Sequence, residues 1–492
     1  MHAHTQGWAT PRLIREGLLA LMAAAAVTVA LALPASAQDD LQIQVNPRGT
    51  VSWKLLQRTH AGGAPMPLRL NYALTNGGTL QARIVMAGSG DTLPGQDYAD
   101  NTWPVEASDG AALERVIDEV PTGGNYDVLL RLVDGVTGEV AAEASIEEVA
   151  VGDVYLAAGQ SNMAGYAESR TPMELPIDEV HLFGNDYAWK RGTEPMDGFW
   201  QQVDLVSLDF PSHSLMLRFA KDVYNATGVP IAIIPGPLGG SSLANQWQRD
   251  VDDPTNRETL YGSLLYRTRL QNYGTAPAGL LWFQGESDAI TTSPAYYRRL
   301  LRELIASYRA DLQGPEMPFI VGQLGTYAFS FVPTWIAVQE AQRLVAREDP
   351  NVALATAIDQ PTWDTIHYTV EGYKTIGSRF ALAAREMVYG QTVDALTELQ
   401  EITVGADSAS VLLHYDATVF AGEARLYSVT DGAGVNAVTA TAASNNVITL
   451  ALSRPISGAL REVLYGNSRL FERTWAVDAS GIAVPAFRVN VE

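Results

Sequence analysis

The chain has no cysteine among its 492 residues. That excludes a thiolate nucleophile, a disulfide framework and the acylated cysteine of a lipoprotein. Basic residues are in short supply: 33 Lys and Arg stand against 55 Asp and Glu, for a formal net charge of −22. Such a surface repels phosphate backbones and anionic lipid, which argues against nucleic acid and membranes as partners. It fits small neutral or carbohydrate ligands. Histidine is scarce, and beyond residue 37 it occurs only at positions 60, 181, 213, 367 and 414. These are scattered, and there is no H-E-x-x-H, so a metal site is not expected. The G-x-S-x-G elbow of the α/β-hydrolases is also missing.

Long apolar runs are lacking after the N-terminus. Arg12 and Arg15 precede LLALMAAAAVTVALAL, and Pro34 leads into Ala35-Ser36-Ala37, followed by Gln38-Asp39-Asp40. A basic flank, a short apolar run and an A-x-A site predict a secretory signal peptide over residues 1–37, removed after Ala37. An uncleaved anchor is the competing reading, and the run is short for a span. The expected location is the periplasm or the exterior, with no membrane attachment after cleavage.

What remains shows three textures. Residues 38–149 carry short alternating patterns such as YDVLLRLV (126–133) between NGG, GSGD, PTGGN and DGVTG turns. They predict an N-terminal β-sandwich-like domain. Over 150–392 the apolar runs DVYLAA, PIAII, GLLWF, PFIVGQL and VALATAI alternate with helical stretches. That pattern predicts an α/β domain with a parallel sheet covered on both faces. Residues 393–492 turn β-like again, and VTATAASNNVITLAL reads as a hairpin around Ser444-Asn445-Asn446 within a C-terminal β domain.

Ligands of open parallel sheets bind outside the carboxyl ends of the strands. The segments there are Gly159-Gln160-Ser161-Asn162, Gly239-Gly240-Ser241-Ser242, Gln284-Gly285-Glu286-Ser287-Asp288 and Asp364-Thr365-Ile366-His367. These types suggest acyl transfer. Ser161 would be the nucleophile and needs a base. His367 is the best candidate, with Asp364 three residues before it to hold the imidazole tautomer. Backbone N–H groups near Ser161 and Gly240 could stabilise an oxyanion. Taken singly, each motif also has a structural reading: Ser161 as a helix N-cap, His367 as a surface histidine, GGSS as a loop.

GQSNM, GGSS, WFQGESD and DTIH, in that order, resemble the SGNH hydrolase superfamily. More narrowly, they are similar to the sialate O-acetylesterase and carbohydrate esterase family 6 group. The resemblance covers about 150–390 and extends to the texture of both β flanks. It implies a flavodoxin-like three-layer domain and an exported serine esterase acting on acetylated carbohydrate through an acetyl-enzyme. It also implies Ser161, His367 and Asp364 as the triad, a mechanism that requires no cofactor. Gly240, with Gly239 as alternative, matches the backbone oxyanion donor. Where the superfamily has an Asn donor this chain has Gln284, whose amide suits that role. Glu286 is left with three roles: loop anchor, contact to sugar hydroxyls, or acid toward His367. Gln160 and Asn162 shape the turn, and one of them is open to substrate contact. Trp247, Trp282 and Trp363 read equally as sugar platforms or core. The sugar, between sialic acid, xylan and another glycan, is undecided, as is the oligomeric state. Arg191, Arg249 and Arg257 lie in loops where a guanidinium would favour sialic acid. The rival readings are a lipase- or thioesterase-like SGNH enzyme and, outside catalysis, a carbohydrate-binding module with an inactive central domain.

Overall fold

The computed structural model describes residues 43–491 except 60–61, 172–173, 199–201, 272, 328–332, 394–396, 467 and 469–470. The signal peptide expected over 1–37 lies outside the described residues. Among the described residues no helix is long and apolar enough to cross a membrane.

The protein is a mixed α/β structure of several sheets, and its largest sheet carries the candidate site. Seven segments line up there in the order Trp189–Arg191, Val180–Phe183, Ile231–Pro235, Val140–Gly159, Gly279–Phe283, Phe319–Gly322 and Val352–Ala355. All neighbours pair in parallel except the edge strand Trp189–Arg191, which is antiparallel. The five apolar runs of the central region supply five of these strands. The sequence does not announce the other two: VHLF (180–183) is short and holds a histidine, and WKR (189–191) has no apolar pattern.

Parallel strands need crossovers, and the crossovers here are helices on both faces. Alternate residues of the strands point to opposite sides. Val154, Leu156, Ala232, Ile234, Leu280 and Trp282 pack against Leu260–Leu270, Pro294–Asp311 and Pro333–Glu348. Tyr155, Ala157, Ile231, Ile233, Leu281 and Phe283 pack against Met216–Thr227 and Val370–Met387. Fully burying a side chain of this size stabilises by about 1.5–3 kcal/mol, so two-sided burial anchors each strand firmly. The helix starting at Pro294 begins as its sequence predicts: Ser293 caps it by accepting the N–H of Tyr296, and proline fills the first turn. Leu260–Leu270 is buried around most of its circumference, so it shows no apolar stripe to read.

The strand Val140–Gly159 does more than lead into the site. It pairs antiparallel with Gly123–Asp134, then parallel with Leu55–Gln57 at Ala150–Gly152, then with the two central strands beside it. The change of texture near residue 150 therefore falls inside one unbroken strand. Upstream, the sheet of Ile43–Val45, Gly63–Leu74 and Ser108–Pro121 shares a core with Gly78–Met86 and Gly123–Asp134 through Met66, Leu68, Leu80, Ile84, Val128 and Leu130. Downstream, Val438–Ser444 and Val447–Leu452 form the expected hairpin, with Ser444 opposite Val447 and Asn445 at φ 53°. The C-terminal segment docks on the central sheet. The Gln323 amide donates to Ala486 O at 2.8 Å and accepts from Ala486 N at 2.9 Å.

Candidate active site

The strand Val140–Gly159 has Ile231–Pro235 on one side and Gly279–Phe283 on the other, so the chain winds away from it in both directions. That is the topological switch point, where the crevice beyond the strand ends is open to a ligand. At its tip Gly159 has φ 143°, and a Cβ there would lie 2.1 Å from Phe283 O, so only glycine fits. The N–H of Gln160 is held by the same carbonyl at 3.0 Å. The chain then tips into the short helix Ser161–Ala164. Ser161 is its first residue; the cap position is Gln160, and no side chain caps it. The serine hydroxyl is therefore not spent on capping.

Ser161 Oγ lies 2.9 Å from His367 Nε2, and His367 Nδ1 lies 2.7 Å from Asp364 Oδ2. The other Asp364 oxygen accepts the N–H of His367 at 2.7 Å and of Ile366 at 2.8 Å. Partial burial pushes the Asp364 carboxyl up. The two backbone N–H groups and the imidazole outweigh this and hold it below the usual carboxylate range. A carboxylate beside Nδ1 fixes the proton there and turns the lone pair of Nε2 toward the serine. The local Asp-x-x-His turn thus delivers an oriented base to a serine 206 positions earlier.

Gln160 and Asn162, read as shaping the turn with one open to substrate contact, and Glu286, read as loop anchor, sugar contact or acid, are all buried around Ser161, at 2%, 1% and 3% exposure. Their polar atoms are mostly engaged by neighbouring protein groups. Asn162 Nδ2 donates to Glu286 Oε1 at 2.6 Å and to Ile366 O at 3.1 Å, while its Oδ1 accepts from Tyr373 OH at 2.7 Å. Gln160 Oε1 accepts from Gln284 Nε2 at 3.1 Å and from Ser287 N at 3.3 Å. Glu286 makes no hydrogen bond to His367; its Oε2 is buried with no hydrogen-bond partner among the described residues, and burial pushes its pKa up.

Gln284, expected as an oxyanion donor, is also drawn inward. It is fully buried, and its amide faces Asp288 Oδ2 at 2.6 Å, Gln160 Oε1 at 3.1 Å and Ser241 O at 3.3 Å. Two N–H bonds shared among three acceptors leave none for a substrate oxygen. Gly239 is likewise engaged, its N–H donating to Asp209 Oδ2 at 2.5 Å. The backbone N–H groups of Ser161 and Gly240 bond to no protein group among the described residues, and the space where a Gly240 Cβ would stand is open.

Some residues that build the site carry no local signal. Asp288 binds the N–H of Leu243 at 2.8 Å and the hydroxyl of Ser242 at 3.0 Å, tying the GGSS loop to the WFQGESD segment. Its place in that quoted segment is the one hint. The ring of Tyr166 stacks on the His367 imidazole at 5.1 Å and 25°. Trp247 and Trp282 are core, packed edge to face at 5.1 Å. Trp363 is 50% exposed, and its Nε1 is fixed to Tyr166 O at 2.8 Å. Arg191, Arg249 and Arg257 are each paired, with Asp178, Asp311 and Asp204. No group of three or more His, Asp or Glu among the described residues could hold a metal. Ser161, the oriented imidazole of His367, and the backbone N–H groups of Ser161 and Gly240, unbonded among the described residues, are the kinds of group that acyl transfer requires.

Comparison with known proteins agrees with that class. Residues 151–386 match the family described as carbohydrate esterase, sialic acid-specific acetylesterase. That match covers just under half of the chain and supports a carboxylic ester hydrolase. No curated protein sequence matches the chain. A carbohydrate acetylesterase from Xanthomonas citri shares the fold at TM-score 0.63 and 20% identity, over 91% of this chain and 100% of that one. A protein from Arabidopsis thaliana aligns at TM-score 0.41 and 24% identity, over 48% of this chain and 99% of its own. A family two carbohydrate esterase from Cellvibrio japonicus aligns at 0.32 and 12%, over 71% and 96%.

Proposed function

We propose that the protein is an exported serine esterase that removes O-acetyl groups from a carbohydrate through an acetyl-enzyme. The observation that carries this reading is the hydrogen-bonded chain Ser161–His367–Asp364, with links of 2.9 and 2.7 Å. Ser161 Oγ attacks the acetyl carbon while its proton passes to His367 Nε2. The backbone N–H groups of Ser161 and Gly240 receive the oxyanion. His367 then gives the proton to the departing sugar oxygen, leaving the acetyl group on Ser161. Water attacks that ester with His367 again as base, acetate leaves, and the serine regains its proton. Asp364 keeps the tautomer. Gln284, Gln160, Asn162 and Glu286 act as the bracing beneath.

Trp363 is the sugar platform in this reading. Its indole is half exposed beside the base and held in one orientation, which suits a pyranose face. The fold reading that accompanies it is a flavodoxin-like three-layer domain over 150–392, flanked by β domains over 38–149 and 393–492. Export follows from cleavage after Ala37.

The test is acetate release from O-acetylated sialic acid and from acetylated xylan, side by side, with protein starting at residue 38. Release from one of them is expected without added metal, and Ser161→Ala should lower it by at least about 10³-fold. If neither sugar nor an aryl acetate is cleaved, the catalytic reading fails and the folded protein should be tested for glycan binding.

A further inference from the structure

Tyr166 meets both halves of the candidate site. Its ring lies on the His367 imidazole, with centroids 5.1 Å apart. Its hydroxyl donates to Asp209 Oδ1, and the other Asp209 oxygen accepts the Gly239 N–H at 2.5 Å. Asp209 is buried at 5% exposure. The fit is close: a Cβ on Gly239 would stand 2.6 Å from the Tyr166 hydroxyl. The backbone of Tyr166 is fixed as well, its N–H donating to Tyr373 OH at 3.2 Å and its carbonyl accepting from Trp363 Nε1 at 2.8 Å. One side chain therefore sets the face of the base and, through Asp209, the loop that presents Gly240.

We propose that Tyr166 and Asp209 are a positioning pair that holds the His367 imidazole and the Gly239–Gly240 loop in mutual register. This rests on the serine esterase reading above. The pair works through two groups whose separation must suit the transition state, where His367 is positively charged and the acetyl oxygen negatively charged. An aromatic face under a forming imidazolium favours the charge, and displacement of a reacting group by about 1 Å can cost on the order of 10² in rate. The pair acts through His367 and the Gly239–Gly240 loop, so with a small aryl acetate the effect belongs in kcat rather than KM.

The experiment is a double-mutant cycle on the full chain with an aryl acetate. Wild type, Tyr166→Phe, Asp209→Asn and the double variant are compared, with melting curves to count folded protein. Each single variant should lose about tenfold in kcat with KM unchanged, and the double variant should also lose about tenfold, because the two act as one unit. Tyr166→Leu, which removes the ring, should lose about 100-fold. Wild-type kcat in Tyr166→Phe overturns the pairing, and so does a double variant whose loss is the product of the singles. If Asp209→Asn does not fold, Tyr166→Phe against Tyr166→Leu decides alone: equal kcat in wild type and the Phe variant refutes the pairing. Ser161→Ala runs in the same series. Retained activity there sinks the esterase reading itself, whereas a dead Ser161→Ala with a fully active Tyr166→Phe sinks only this inference.

Discussion

Asp364→Asn is the sharpest test of how the base is oriented. Asp364 accepts three hydrogen bonds: from His367 Nδ1 at 2.7 Å and from the backbone N–H groups of His367 and Ile366 at 2.7 and 2.8 Å. Asparagine keeps one oxygen. With that oxygen left on the two backbone N–H groups, the turn survives and an NH2 now faces the imidazole. His367 must then present its Nδ1 lone pair to that amide and carry its proton on Nε2, where it can no longer take one from Ser161. The equivalent change in Ser-His-Asp proteases lowers kcat about 10⁴-fold, which is about 5.5 kcal/mol of barrier. A loss on the order of 10³ to 10⁴ in kcat is expected here, with a melting temperature close to wild type. Glu286→Gln is the control. Its one bond, from Asn162 Nδ2 at 2.6 Å, needs only an oxygen, which glutamine supplies. Less than about a fivefold loss is expected, since a surviving neutral hydrogen bond is worth about 1 kcal/mol. Initial rates on an aryl acetate and on the preferred acetylated sugar read both variants. A loss under tenfold in Asp364→Asn, or a larger loss in Glu286→Gln, would refute this reasoning and move the acid role to Glu286.

Trp363→Ala should raise KM for an acetylated glycan about three- to tenfold, the worth of one aromatic contact, while a small acetate ester without a ring keeps its KM; equal KM changes on both would remove Trp363 as a platform. His181 is buried between Trp53 O and Asn125 Oδ1, and burial pushes its pKa down to about 4. Its folded value lies below the unfolded value of about 6.5, so stability is full above pH 6.5 and falls as pH drops through about 4, by about 3 kcal/mol. Melting curves from pH 7 to 4 should therefore slope less steeply in His181→Gln than in wild type, and parallel slopes would show that His181 does not titrate in this way.

The sequence reveals what depends on short range. Asp364 and His367 share one turn, and Ser161 follows a buried run directly, so position along the chain is enough to pick them out. The two-sided burial of VYLAA, IAII and LLWF writes continuous apolar runs that betray parallel strands. Direction is what the sequence withholds. Gln284 is the right residue type at the right strand end, yet its amide turns inward because Asp288, one helical turn on, and the Ser241 carbonyl wait there. Tyr166 and Asp209 meet across 43 positions with no periodicity to link them. The strand Val180–Phe183 is hidden for another reason: His181 interrupts its apolar run because it serves the contact with Trp53 and Asn125. The three arginines in the polar loops look available in sequence and are neutralised in space by aspartates from other segments.

The continuity of Val140–Gly159 has a mechanical consequence. Twenty residues of strand at about 3.3 Å each make a rod of roughly 65 Å that ends at the nucleophile. Its far half is clamped by Gly123–Asp134 and its near half by the two central strands. A bulge at Glu148, whose φ is 57°, shifts its register with Gly123–Asp134, and the strand is paired on both sides of that point. The upstream sheet is not a detachable tag: a chain begun at residue 150 would strip Leu55–Gln57 from the rod and cut the lever that aims Ser161 at its butt.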